Sequence, residues 1–138
     1  MESDLAEGED WSTEFSYELT ENGGNVLSYE RINEVSADAS IQIIDSRPAP
    51  GFEAGNVPNS ISVPAPTLLS QEDGTIKPDN ELRELYEAKG VDLSKPMVFS
   101  CGGGIMATLS YMTALHANLS SQVYVYDGSW SEYNARKK

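Results

Sequence analysis

The feature that most restricts how this chain can fold is a junction: the apolar run Met97-Val98-Phe99 leads through Ser100 into a cysteine and three consecutive glycines, Gly102, Gly103 and Gly104. Beyond them Ile105, Leu109, Met112 and Leu115 recur at the spacing of an amphipathic helix, with Asn118 near its end. A short apolar run after Pro96 reads as a buried strand, so Cys101 sits at a strand-to-helix turn. Such turns belong to parallel sheets, whose strands need crossover connections rather than tight hairpins.

The rest of the chain from Val26 follows the same rhythm. Residues 28–35 look like a short helix capped by Ser28, with Ile32 and Val35 on its buried side. Ile41-Gln42-Ile43-Ile44 reads as a strand ending at Asp45. Ile61-Ser62-Val63 is a second extended piece, closed by Pro64 and Pro66 because a missing amide forbids a continuing central strand. A further helix can be capped by Asp79 or Asn80, buries Leu82, Leu85 and Tyr86, and stops at Gly90. Val123-Tyr124-Val125-Tyr126 is the last strand, stopped by Asp127-Gly128, after which the chain reads as an aromatic and charged tail. Helices alternating with β-branched runs predict an α/β fold with a parallel sheet. Residues 1–25 are acidic and without sustained period, so they read as a tail or linker before one domain over 26–138. Trp11, Phe15 and Tyr17 alternate there and could dock on that domain.

Charge and cysteine content remove several function classes. Twenty-two acidic against nine basic side chains leave a formal charge of -13, which repels phosphate backbones and anionic membranes and predicts no nucleic-acid partner. No apolar stretch approaches the ~20 residues needed to span a bilayer, so a soluble protein without a membrane partner is expected. The single cysteine cannot close an intramolecular disulfide and suits a reducing compartment. Residues 1–10 carry five carboxylates and no Lys or Arg, unlike a secretory or basic transit segment. A cytoplasmic location is expected, with a mitochondrial one if a transit segment has been removed.

A cysteine at the carboxyl end of a parallel strand lies where open α/β sheets place ligands, and the next helix directs its amides toward it. Glycines there can take backbone angles closed to other residues, letting N–H groups curl around an anion as a nest. Backbone donors of this kind stabilise an anionic sulfur without a cationic side chain. Against catalysis stands the ordinary alternative, a small buried cysteine in a turn that is glycine-rich for packing. A cysteine phosphatase would need an Arg six residues beyond its nucleophile to clamp phosphoryl oxygens. That position is Ala107, and no Lys or Arg lies between Cys101 and Asn118. The sole histidine, His116, falls near the far end of the same helix, out of reach as a general base.

Four stretches taken in order resemble one family: Ile44-Asp45-Ser46-Arg47, Gly55-Asn56-Val57-Pro58, Cys101-Gly102-Gly103-Gly104-Ile105-Met106, and Tyr126-Asp127-Gly128-Ser129-Trp130-Ser131-Glu132-Tyr133. Residues 26–133 look like the C-terminal, catalytic domain of thiosulfate and 3-mercaptopyruvate sulfurtransferases, a rhodanese-like domain. The resemblance implies a five-stranded parallel sheet flanked by helices on both faces and a sulfurtransferase whose Cys101 carries a persulfide. It implies that Gly102, Gly103, Gly104, Ile105 and Met106 surround the sulfur. A Cys-Gly-small-Gly loop resembles the mercaptopyruvate-type members, so 3-mercaptopyruvate is expected as donor ahead of thiosulfate, with a thiol, cyanide or protein acceptor. No metal or organic cofactor is implied.

The chain also departs from the family. Gly51 stands where an Arg is usual, a following insertion with a further Arg is missing, and Asn56 and Asn59 replace the usual His and Gly around Pro58. Arg47 is then the remaining candidate for an anion contact, although beside Asp45 an ion pair that ties down a loop is the simpler role. Trp130 and Tyr133 read as packing residues. The lost arginines predict weak donor binding and set up a rival function, a weakly active or inactive interaction module that meets a basic protein through its acidic surface.

Overall fold

The computed structural model describes residues 26–38, 41–120 and 122–137, so the expected tail over 1–25 lies outside the described residues. Four parallel strands, β1 (Gln42–Asp45), β2 (Ser60–Ser62), β3 (Met97–Ser100) and β4 (Val123–Val125), form one sheet in the order β2-β1-β3-β4. Among the described residues the sheet thus has four strands rather than the expected five. At its open edge beyond β4, pairing shrinks to a single parallel bridge between Val26 and Val125.

Because side chains alternate along a strand, each strand feeds two cores. Ile43 and its register partner Val98 point to one face, where Ile32, Val35, Val57, Tyr126 and Tyr133 complete a cluster. Ile44, Met97 and Phe99 point to the other, against Leu68, Leu82, Tyr86, Ala107 and Ala114. The first face is covered by α1 (Tyr29–Ala37) and the C-terminal α5 (Ser129–Arg136), the second by α3 (Asp79–Ala88) and α4 (Ile105–His116). A short α2 (Ala49–Ala54) and a 3-10 turn (Ala65–Leu68) flank β2 in the chain.

The expected local signals for α1 hold: Ser28 Oγ accepts from the Arg31 amide at 3.1 Å, and Ile32 and Val35 are buried. Gly90 stops α3 at φ +91°, but the residue before that helix is Pro78, with Asp79 already inside and no side-chain cap. Two helices were not expected. α2 has Pro48 before its first residue and Pro50 within its first turn, a pattern that resembles a strand breaker as much as a helix start. α5 replaces the expected irregular tail.

The largest departure concerns α4. Its apolar repeat does not mark the buried face: Ile105 is 84% exposed, Met112 53% and Leu115 45%. The face against the sheet is made of Ala107, Ser110, Thr113 and Ala114, all buried, followed by Ala117. Small side chains let the helix axis approach the strands closely, and this brings the start of α4 down onto the end of β3. Among the described residues no helix is long and apolar enough to cross a membrane.

Candidate active site

Cys101 follows the last residue of β3 and is 2% exposed. Its Sγ accepts hydrogen bonds from the peptide nitrogens of Gly104 at 3.0 Å and Ala107 at 3.3 Å. These donors come from the residue that opens α4 and from its first turn, where helical N–H groups have no intrahelical acceptor. Four more amides of the same stretch, those of Gly102, Gly103, Ile105 and Met106, have no acceptor among the described residues. The cysteine therefore lies beneath a loop, the cradle, that turns two backbone donors on its sulfur and leaves these four others without a protein acceptor. Gly103, Ile105 and Met106 are exposed at its rim.

Of the three glycines, only one is demanded by conformation. Gly104 has φ +98°, and a Cβ there would lie 2.6 Å from the carbonyl oxygen of Asp127. A Cβ on Gly102 would meet only Arg47 Cδ, at 3.9 Å, and one on Gly103 would meet nothing within 4 Å. The expectation that all three use glycine-only angles is thus narrowed to Gly104, and the donors on Sγ are not consecutive amides.

The wall of the cradle away from α4 is the start of α5. Ser129 Oγ accepts from the Cys101 amide at 2.9 Å and donates to the Tyr126 carbonyl at 2.8 Å. The Trp130 amide donates to the Cys101 carbonyl at 2.8 Å and that of Ser131 to the Gly102 carbonyl at 3.0 Å. Sequence reasoning missed these contacts because they are made by main-chain groups and one hydroxyl. The available signal was the turn Asp127-Gly128-Ser129 directly after β4.

Arg47 lies beside the cradle, but its donors are committed. Nε and Nη2 grip the Asp45 carboxylate, Nη2 at 2.8 Å, and Nη2 also donates to the Gly55 carbonyl at 2.6 Å. The Asp45 carboxylate accepts from the Arg47 amide as well, at 2.9 Å. The guanidinium sits over the Trp130 ring, 5.2 Å from its centroid. Of the two roles open to Arg47, the geometry matches the loop-tying ion pair, with Nη1 alone left without an acceptor among the described residues. The Trp130 ring in turn packs on Gly55, where a Cβ would lie 2.7 Å from it, and stacks on Tyr133. His116 is exposed in the last turn of α4, at the opposite end of that helix from the cradle.

The pattern that defines the Rhodanese-like domain matches residues 28–136. The chain belongs to the rhodanese-like family. Among its relatives, the human 3-mercaptopyruvate sulfurtransferase is 37% identical over 126 residues, covering 82% of this chain and 41% of that protein. The bovine thiosulfate sulfurtransferase is 34% identical over 131 residues, covering 85% of this chain and 43% of that protein. In structure, the domain matches the 3-mercaptopyruvate sulfotransferase SseA from Escherichia coli with a TM-score of 0.67 at 31% identity, covering 76% of this chain and 42% of that one. This rhodanese-like domain thus spans about two fifths of the length of the relatives it matches. The human and bovine relatives are both named as sulfurtransferases.

Proposed function

We propose that this rhodanese-like domain is a sulfurtransferase in which Cys101 carries a sulfane sulfur, as a persulfide, from a small donor to a thiol, cyanide or protein acceptor. The observation that carries the reading is the unequal use of the cradle: two amides already point at Sγ, and four more wait without an acceptor. A thiol needs no such surplus, whereas an outer persulfide sulfur or a donor's developing charge does. Gly102, Gly103, Gly104, Ile105 and Met106 supply this backbone, and Arg47 braces its edge.

With 3-mercaptopyruvate, the Cys101 thiolate attacks the donor's sulfur and an S–S bond forms. The donor's C–S bond breaks with its electron pair left on carbon as the enolate of pyruvate, which takes up the former thiol proton. An acceptor thiolate then attacks the outer sulfur, breaks the S–S bond, and regenerates the Cys101 thiolate. No metal or organic cofactor enters these steps. Thiosulfate brings a second negative charge, and no cationic side chain lies between Cys101 and Asn118 to meet it. The preference for 3-mercaptopyruvate follows from this, as does a high KM, since Gly51 stands where a substrate arginine is usual. A free thiol of this kind works in a reducing compartment, so we assign the domain to the cytoplasm.

The test is intact-mass measurement after exposure to each donor. Wild-type protein should gain about 32 Da, one sulfur, faster with 3-mercaptopyruvate than with thiosulfate, and lose it to a small thiol. Cys101→Ala should gain nothing. Folded wild-type protein that stays unmodified with both donors refutes the reading.

A second reading has its own observation: the outward apolar stripe of Ile105, Met106, Met112 and Leu115 begins at the cradle's rim. It favours an interaction module with little turnover. Turnover that is absent, or indifferent to Cys101→Ala, would select it.

A further inference from the structure

We infer that Ser129, together with the first peptide nitrogens of α5, is a positioning residue that fixes which way the cradle's peptide groups face. The inference rests on the sulfurtransferase reading for its consequence, though not for its geometry. It starts from a misplaced glycine. In Gly128-Ser129 the positive φ, +54°, falls on the serine, while the glycine has an ordinary φ of -64°. Glycine is the residue suited to the left-handed region, yet here it is placed where crowding requires it, because a Cβ on Gly128 would collide with the Glu132 side chain. The serine tolerates the unfavourable angle, and a residue held there against its preference points to a local demand.

That demand is the hydroxyl. Ser129 is fully buried, and its Oγ has one proton, given to the Tyr126 carbonyl at 2.8 Å. Its oxygen accepts from the Cys101 amide at 2.9 Å, and the same hydroxyl is also placed to donate to Cys101 Sγ, 3.9 Å away. The next two residues continue the grip, the Trp130 amide on the Cys101 carbonyl and the Ser131 amide on the Gly102 carbonyl. Three successive residues of α5 thereby hold three polar groups of the cysteine loop, the Cys101 amide and the Cys101 and Gly102 carbonyls.

Peptide planarity carries the consequence. In a trans peptide, C=O and the following N–H point in opposite directions. Anchoring the Cys101 carbonyl on α5 turns the Gly102 amide away from α5, and anchoring the Gly102 carbonyl turns the Gly103 amide away. These are two of the four cradle amides without an acceptor. Unanchored, the Gly102–Gly103 peptide could rotate at little steric cost, since neither flanking residue carries a side chain. Ser129 sets the register of the grip by holding the Cys101 amide.

Two variants test this. Ser129→Gly deletes the hydroxyl at an angle glycine accepts, so the fold is kept. Ser131→Pro deletes one N–H in the first turn of α5, where proline is tolerated. In 15N NMR spectra, Ser129→Gly should displace the amide signals of Gly102 and Gly103, and Ser131→Pro that of Gly103 with Gly102 little changed. Sulfur loading from 3-mercaptopyruvate should fall about tenfold to a hundredfold, the range for losing a preorganised donor or misplacing one by about 1 Å. Alkylation of Cys101 by neutral iodoacetamide should hold near the wild-type rate in Ser131→Pro, because Gly104, Ala107 and Ser129 still face Sγ. A merely structural strap would lower the melting temperature and leave these amide signals in place. Unmoved Gly102 and Gly103 signals in folded Ser129→Gly, or loading at the wild-type rate, overturn the inference. Wild-type protein that accepts no sulfur refutes the transferase reading instead, and the NMR comparison still decides the orientation.

Discussion

The Cβ that Gly104 lacks would stand 2.6 Å from the carbonyl oxygen of Asp127 and 3.0 Å from its Oδ1. One glycine thus lets the turn after β4 close onto the turn after β3, and its amide is also a donor to Cys101 Sγ.

Gly104→Ala therefore meets two obstacles, a φ of +98° and a backbone oxygen that cannot move aside like a flexible side chain. We expect a loss of about 1–3 kcal/mol, read as a fall in melting temperature, and slower sulfur loading as the amide leaves Sγ. Gly103→Ala is the control. With open space at its Cβ position and no positive φ, it should stay within about 0.5 kcal/mol of wild type. Thermal melts and intact-mass kinetics on the two variants check both statements, and equal effects would remove the special role of Gly104.

Arg47 and Asp45 are nearly sealed from solvent, with side-chain exposures of 11% and 2%. Removing the cation alone leaves a carboxylate buried and unpaired, so Arg47→Met should cost about 3–5 kcal/mol. Adding Asp45→Asn should recover part of that loss, because the uncompensated charge is then gone. Chemical denaturation of both single variants and the double variant gives the coupling energy. Strictly additive losses would show that the pair is not acting as a unit.

The α4 face provides the third prediction. Ile105→Ser and Met112→Ser alter outward residues and should change stability by no more than about 0.5 kcal/mol. Ala114→Leu, against the sheet, should cost about 1–3 kcal/mol by overpacking. Denaturant melts rank the three, and the reverse order would return the apolar repeat to the core.

That helix also shows where sequence reading stops. The strand-glycine-helix junction at Cys101, the Ser28 cap and the Gly90 stop were all legible because each rests on local chemistry within a few residues. The buried face of α4 was not, because two periodic sets coexist on it. Ile105, Leu109, Met112 and Leu115 form the conspicuous one, while Ala107, Ser110, Ala114 and Ala117 fit a close approach to strands. Which set faces inward depends on the distance between helix and sheet, a tertiary quantity. The hold of α5 on the cysteine loop was hidden for a similar reason. It runs through main-chain groups that every sequence possesses, and only Ser129 and the glycine before it leave a trace.

Ser100 provides the last prediction. Its hydroxyl is buried at the end of β3, one residue before Cys101, and has no hydrogen-bond partner among the described residues. A buried polar group without a partner loses its hydration and gains nothing in return, so replacing it with an apolar group of similar size is neutral to favourable. Ser100→Ala should keep or raise the melting temperature, by up to about 1 kcal/mol of added stability. It should also leave sulfur loading unchanged, since the Ser100 carbonyl remains bonded to the Ser46 amide at 2.7 Å and continues to hold the strand end. Thermal melts beside intact-mass kinetics measure both. A clear loss of stability would mean that the hydroxyl binds a buried water, and a loss of loading with stability intact would give Ser100 a part in the chemistry of the neighbouring sulfur.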